Sequence, residues 1–295
     1  MSEWTKKIFV VGGLLCYAVI LFFFMIFYRL PADKLIAATV DDASKGRMIF
    51  KAEKMNPAFP LLYKFLNVEY GFSTKDVVVK DRFKSMTLSP DYGRLLGGYM
   101  PVRFHGVFNR GHMHGRMGVS LFRGAEDGYV TVTFSDIRLE DLNIVTALTD
   151  RSVKGVLNGA INIKGNMNQI KAMEGKGAVT LQKASIGTTM AIPGIKSVPF
   201  ETIRLSFTLK EGVLNLKDSR MEGPMFSGDI SGVVHMHKKM EKSTLNVLAR
   251  MKVGSLPAGN KTAGKLFSKI LKKGGRFTVK ITGPVAAPSI SWSRG

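Results

Sequence analysis

The side chains best suited to chemistry are two His-x-His pairs, His112/His114 in "GHMHG" and His235/His237 in "VHMHK". On an extended strand, residues two apart point the same way, so each pair offers two imidazoles to one metal ion. Imidazole suits zinc or copper, and the neighbouring methionines suit Cu(I). Such a site wants three or four ligands. Asp229 shares a face with His235 and His237 but stands six residues from the nearer histidine, about 20 Å along an extended strand. It cannot complete that site. A four-histidine site requires the two pairs to lie on neighbouring strands. Both pairs also sit at the polar parity of their strands, where a histidine is simply solvated. The plainer expectation is no resident metal and no cofactor.

Other catalytic constellations are missing from the sequence. There is no Gly-x-Ser-x-Gly elbow and no phosphate-cradling Gly-rich loop with Lys. Cys16, the single cysteine, lies inside an apolar run. Asp41-Asp42 and Glu126-Asp127 sit among turn residues and read as solvated pairs. A binding or structural protein is expected, not an enzyme.

The elements that carry the histidines read as sheet. From Ile203 to Lys210, Ile203, Leu205, Phe207 and Leu209 take one face and Arg204, Ser206, Thr208 and Lys210 the other. Period two marks a half-buried strand. Glu211-Gly212 then turns the chain into Val213 to Lys217. In Phe226 to His237 the apolar set is Phe226, Ile230, Val234 and Met236, and Leu245 to Val253 continues the theme. The same alternation runs through 116–121, 130–135, 157–164 and 179–182. One apolar and one wet face imply antiparallel sheet. Phe207, Leu209, Val234, Met236 and Val247 are the candidate lining of an apolar groove. "GVLNGAINIKGN", "GKGAVTLQKASIG" and "MFSGDISGVVHMH" echo one another, as stacked strand-and-turn units do. Helices are expected over Ala32 to Ser44, Leu139 to Leu148 and Gly264 to Lys273.

The first segment bears on the compartment. Ile8 to Tyr28 is a run of 21 residues without a charge, and a helix of roughly 20 apolar residues crosses a bilayer. Ile8, Val11, Leu15, Cys16, Ile20, Phe24 and Tyr28 are its candidate lipid-facing positions. The run exceeds the apolar core of a cleaved signal peptide, so an uncleaved anchor is expected. Lys6 and Lys7 precede it, whereas Asp33, Asp41 and Asp42 offset Arg29 and Lys34 beyond it. That slight bias favours a cytoplasmic N-terminus and an exported body.

The chain has 295 residues, 45% of them hydrophobic, with a formal net charge of +21. Such an excess favours polyanions. Nucleic acid is disfavoured, because the charges are interleaved through strands and no recognition motif is present. From Met251 to the end there are nine Lys and Arg and no Asp or Glu. There Lys265, Lys269, Lys272 and Lys273 flank the apolar stripe of Leu266, Phe267, Ile270 and Leu271, a form that suits either a helix capping the end of the sheet with solvated lysines or one lying on an anionic membrane surface.

The order of these pieces resembles a known family. After the anchor come "LEDLNIVTALTDRSVKG", "GVLNGAINIKGN", "MEGKGAVTLQKASIG" and "VPFETIRLSFTLKEGVLNLKDSRMEGPMFSGDISGVVHM". A basic helix and "GGRFTVKITGPVAAPSISW" close the chain, with Gly283, Pro288 and Trp292 as the most similar part. This resembles the type II secretion system protein N (GspN-like) family, within the broader AsmA-like group. The resemblance is one of glycines and alternation over nearly the whole chain. It implies a single-pass protein of a bacterial inner membrane, residues 1–30 forming a cytoplasmic stub and anchor and residues 31–295 a periplasmic β-rich domain. It implies other secretion-system subunits as partners. The wider group implies an elongated, curled antiparallel sheet, a groove or sandwich with a few short helices, able to hold lipid.

Overall fold

The computed structural model describes residues 17, 21, 22, 25, 29, 31–44, 48–58, 61–73, 78–91, 98–121, 126–149, 151–187, 196–237, 242–255, 275–285 and 287–294. The expected anchor positions Ile8, Val11, Leu15, Cys16, Ile20, Phe24 and Tyr28, and the lysines of the expected C-terminal helix, lie outside these. Within the anchor run, Tyr17, Leu21, Phe22 and Met25 are helical and exposed. Among the described residues no helix is long and apolar enough to cross a membrane.

Fourteen strands form one antiparallel sheet whose spatial order is the sequence order. They are β1 (Met48–Ala58), β2 (Leu62–Ser73), β3 (Val78–Pro90), β4 (Tyr99–Val107), β5 (His112–Ser120), β6 (Asp127–Arg138) and β7 (Val153–Asn166). There follow β8 (Met173–Gly187), β9 (Ser197–Lys210), β10 (Val213–Glu222), β11 (Phe226–His235), β12 (Thr244–Val253), β13 (Arg276–Pro284) and β14 (Ser289–Arg294). The expectation of a mainly antiparallel sheet holds. The curl and the sandwich do not: all fourteen strands belong to one uncurled sheet, not to two packed ones, and among the described residues β1 and β14 do not pair. Helix α1 (Ala32–Ser44) has the expected bounds and packs on β1. The expected helix over Leu139 to Leu148 is instead a short 3-10 turn, Leu139–Asp141, followed by α2 (Asn143–Thr149).

The apolar alternation changes phase inside several strands, and in four of them at a left-handed residue. Asn67, Asp136, Lys183 and Asp218 adopt left-handed backbone, with φ of 49°, 53°, 50° and 51°. Each sits where the buried set jumps three residues: Phe65 to Val68, Phe134 to Ile137, Leu181 to Ala184, Leu216 to Ser219. Without the jump, every later side chain would point to the wrong face. In β6 and β10 the partner registers shift at the same places, as in a β-bulge. Polar side chains secure these sites. Asn158 Oδ1 accepts from the Asp136 N–H at 3.0 Å, and the buried Ser219 hydroxyl accepts from the Ser206 N–H at 2.9 Å.

Two clusters of buried side chains lie on the apolar face. One gathers Phe65, Val68, Phe83, Phe108 and Ile137, with Ile36 of α1 against it. The other draws on β8 to β13 and includes Phe200, Ile203, Phe226, Met251 and Phe277.

Asp81 is the exception on that face, only 5% exposed between Val79 and Phe83. Its carboxylate accepts from the N–H groups of Asn143 and Ile144 at 2.7 and 2.8 Å. It thereby caps α2 from a distant strand, answering N–H groups that a helix start leaves without partners. Asn143 in turn donates to the Lys80 carbonyl at 3.0 Å. β4 leaves that stretch of β3 uncovered, since the two strands pair only from Ser85 to Pro90. Asp81→Ala orphans both N–H groups and is expected to cost about 1–3 kcal/mol, measurable as a lower urea midpoint. Asp81→Asn should recover part of the loss.

Candidate functional site

The pairing registers place one row of residues across the whole sheet. From β1 to β7 it runs Pro57, Tyr63, Leu88, Phe104, Gly115, Val132 and Ile161. From β8 to β14 it continues through Gly177, Phe207, Leu216, Gly232, Val247, Ile281 and Ile290. No member of the row is charged. At about 4.8 Å between strands, thirteen spacings span roughly 60 Å. The row next to it on the same face is equally apolar, from Met55 through Phe65, Met86, Met113, Phe134 and Val179 to Leu205.

Glycines interrupt the row because rings lie over them. Gly177 faces Phe207 across the β8–β9 ladder, and a Cβ added there would stand 2.5 Å from the Phe207 ring. Gly115 bears the same relation to Phe104 of β4, also at 2.5 Å. The missing side chains are the space that the aromatic rings fill. The row therefore stays apolar where its letters do not look so.

The expected groove residues fall on this face. Phe207 and Val247 are members of the row, and Leu209 and Val234 flank Leu214 one step along. Met236 lies just past the end of β11, its N–H donating to the Gly212 carbonyl at 2.8 Å. Leu209 and Val247 are buried, whereas Val132, Ile161, Phe207 and Val234 are half-buried. Met117 and Val119 on β5 are 40% and 39% exposed. Apart from the buried Phe104 and Val247, the row is half-covered along its length.

The opposite face is wet. Arg103, Arg116, Thr131, Asn162, Lys176, Thr208 and Asn215 form the corresponding row from β4 to β10. Arg103 and Arg116 are opposite each other, a repulsive pairing, and the nearly buried Asp91 carboxylate draws both. Asp91 Oδ1 pairs with Arg103 Nη2, and Oδ2 lies 3.5 Å from Arg116 Nε.

The histidines are arranged differently from the four-ligand expectation. His112 and His114 are on β5 and His235 on β11, with five strands between, so the two pairs are not neighbours. Instead His105 of β4 is the cross-strand partner of His114. Ring centres of His105 and His112 are 5.8 Å apart, and those of His112 and His114 6.3 Å. Partial desolvation by its neighbours, then the adjacent His112 and His114, hold the exposed His105 below its ordinary imidazole pKa. His105 carries no sequence signal of its own, and only the register of β4 against β5 joins it to the pair. Among the described residues, no three His, Cys, Asp or Glu side chains are placed so as to hold a metal ion.

Comparison of the chain with protein-family models, with curated proteins and with solved structures finds no match.

Proposed function

We propose that this chain is a membrane-tethered module of a bacterial envelope that holds lipid acyl chains along the apolar face of its sheet. The observation that carries the reading is the uncharged row from Pro57 to Ile290, crossing all fourteen strands and only half-covered along most of its length. Contiguous apolar surface beyond a few hundred Å² is uncommon on monomeric soluble proteins and marks binding surfaces. Two further features support it. Helix α2, which follows β6, is bonded to Asp81 and Lys80 of β3, three strands away, where β4 leaves the apolar face of β3 uncovered. Ile36 of α1 packs against the same apolar face, and the 21-residue uncharged run ends three residues before α1. The tether in this reading brings the bilayer to one end of the row. In this reading the anchor crosses the inner membrane with its N-terminus inside, the sheet stands in the periplasm, and Lys265, Lys269, Lys272 and Lys273 add an anionic-surface contact.

The test is lipid analysis of the full chain purified in mild detergent. Native mass spectrometry is expected to find phospholipid bound near one or a few molecules per chain. A preparation that carries no lipid under conditions that preserve the sheet sinks the reading. Protease added to intact spheroplasts is expected to cut the body beyond Leu30, and protection until lysis would overturn the periplasmic placement.

A second reading, an accessory subunit of a type II secretion system, rests on the family resemblance and on β14. Among the described residues that strand pairs only with β13, leaving an edge suited to strand addition by a partner. Co-purification with secretion subunits, lost when Ile290, whose N–H faces away from β13, is replaced by Pro, is its expected signature.

A further inference from the structure

We propose that His105, His112 and His114 form a transition-metal site on the wet face of β4 and β5, binding zinc or a similar divalent ion through three imidazoles. This face is opposite the apolar row, so the proposal is independent of lipid binding. The backbone does most of the positioning. His112 and His114 are two apart on one strand and share a face. His105 is directly opposite His114, which places their Cβ atoms roughly 5 Å apart. The β4–β5 hairpin that carries all three is tight, closed by the Phe108 N–H donating to the Gly111 carbonyl at 3.1 Å.

The rings are close to the required separation without yet sharing a ligand point. In a tetrahedral site with metal–nitrogen bonds of about 2.1 Å, ring centres stand roughly 5.3 Å apart. The observed 5.8 and 6.3 Å are therefore near that value. All three histidines are exposed, so rotation about χ1 and χ2 meets little packing, and that rotation separates the present arrangement from a converged one.

The donor set selects the ion. Three neutral nitrogens and no carboxylate suit zinc, nickel, cobalt or copper and exclude calcium and magnesium. The cross-strand partners of the cluster are Thr87, Thr133 and Ser135, hydroxyls able to bond a water in the fourth position. Arg103 and Arg116, one step along the hairpin, are drawn to Asp91, which tempers their repulsion of a cation.

The experiment uses the full chain in detergent without a polyhistidine tag, titrated with Zn²⁺ by calorimetry and with Co²⁺ by visible absorption. One ion per chain is expected, with a Co²⁺ spectrum of tetrahedral type. His105→Gln and His112→Gln should each weaken binding by ~10-fold or more, at least what losing an outer-shell partner costs. Both should retain the circular dichroism of the parent. His235→Gln/His237→Gln should leave the affinity unchanged. Absence of saturable binding overturns the proposal. So does binding that is indifferent to His105→Gln, or that disappears only in the His235→Gln/His237→Gln variant.

Discussion

A Val132→Glu/Phe207→Glu variant is expected to purify as a folded, strand-rich protein carrying less than a tenth of the parent's bound lipid. Both positions belong to the row that crosses the sheet, on β6 and β9. Both are half-buried and lie outside the two buried clusters, so the fold can accept a carboxylate at its margin. An acyl chain cannot. Placing a charge against lipid on a strand costs up to about 2–4 kcal/mol at full depth, less for Glu and near an interface. At roughly 1.4 kcal/mol per factor of ten, even half that cost at two sites lowers affinity about a hundredfold. Two substitutions on the wet row, Thr131→Glu and Thr208→Glu, provide the matched control. They change charge by the same amount at adjacent residues and should leave lipid content unaltered. Equal loss in both variants would mean that charge, not the apolar row, governs the lipid.

Phe65→Ala is expected to be the most damaging single truncation. Phe65 is 0% exposed, at the centre of the cluster that joins α1 and strands β1 to β7. Phe50 meets it edge-on with ring centres 6.2 Å apart, and Tyr63 lies 6.3 Å away. Deleting a buried phenylalanine side chain costs about 3–5 kcal/mol, transfer and cavity together, out of a total stability of about 5–15 kcal/mol. At roughly 2–4 °C per kcal/mol for a chain of this size, the melting temperature should fall by about 10 °C. Phe65→Leu should lose distinctly less. If Phe65→Ala melted with the parent, this cluster would not be the core that holds the first strands together.

How far the letters reveal this architecture depends on how faithfully each strand keeps its period. From Arg116 onward, alternation locates the strands, and Phe207, Leu209, Val234 and Val247 prove to share one face. The first four strands leave weaker traces, each for a physical reason. β1 and β2 change phase near Asn67, whose amide donates to Glu53 at 2.7 Å. β3 spends an apolar slot on Asp81 to cap a helix 62 residues away. β4 contains Pro101 and Gly106, and the Phe83 ring occupies the space above that glycine, 2.9 Å from where a Cβ would stand. The same logic hid most of the apolar row, because Gly115 and Gly177 look like breaks until Phe104 and Phe207 are seen over them. Asp81 also explains why the helix expected from Leu139 starts only at Asn143, since the carboxylate fixes that end by tertiary contact. The three-histidine cluster was half legible: His112 and His114 advertise themselves by spacing, whereas His105 requires the register.

The order of the strands has a bearing on how such a protein is made. Every strand pairs only with its neighbours in the chain, so no pairing waits for a distant segment, and topologies of this kind avoid the entropy of closing long loops. A chain that emerges N-terminus first can add each hairpin to the edge left by the last. The growing edge is always the newest strand, and lengthening the protein needs only another strand and turn of the same pattern. Each added pair extends the sheet by about 10 Å, so the length of the apolar row is set by strand count alone.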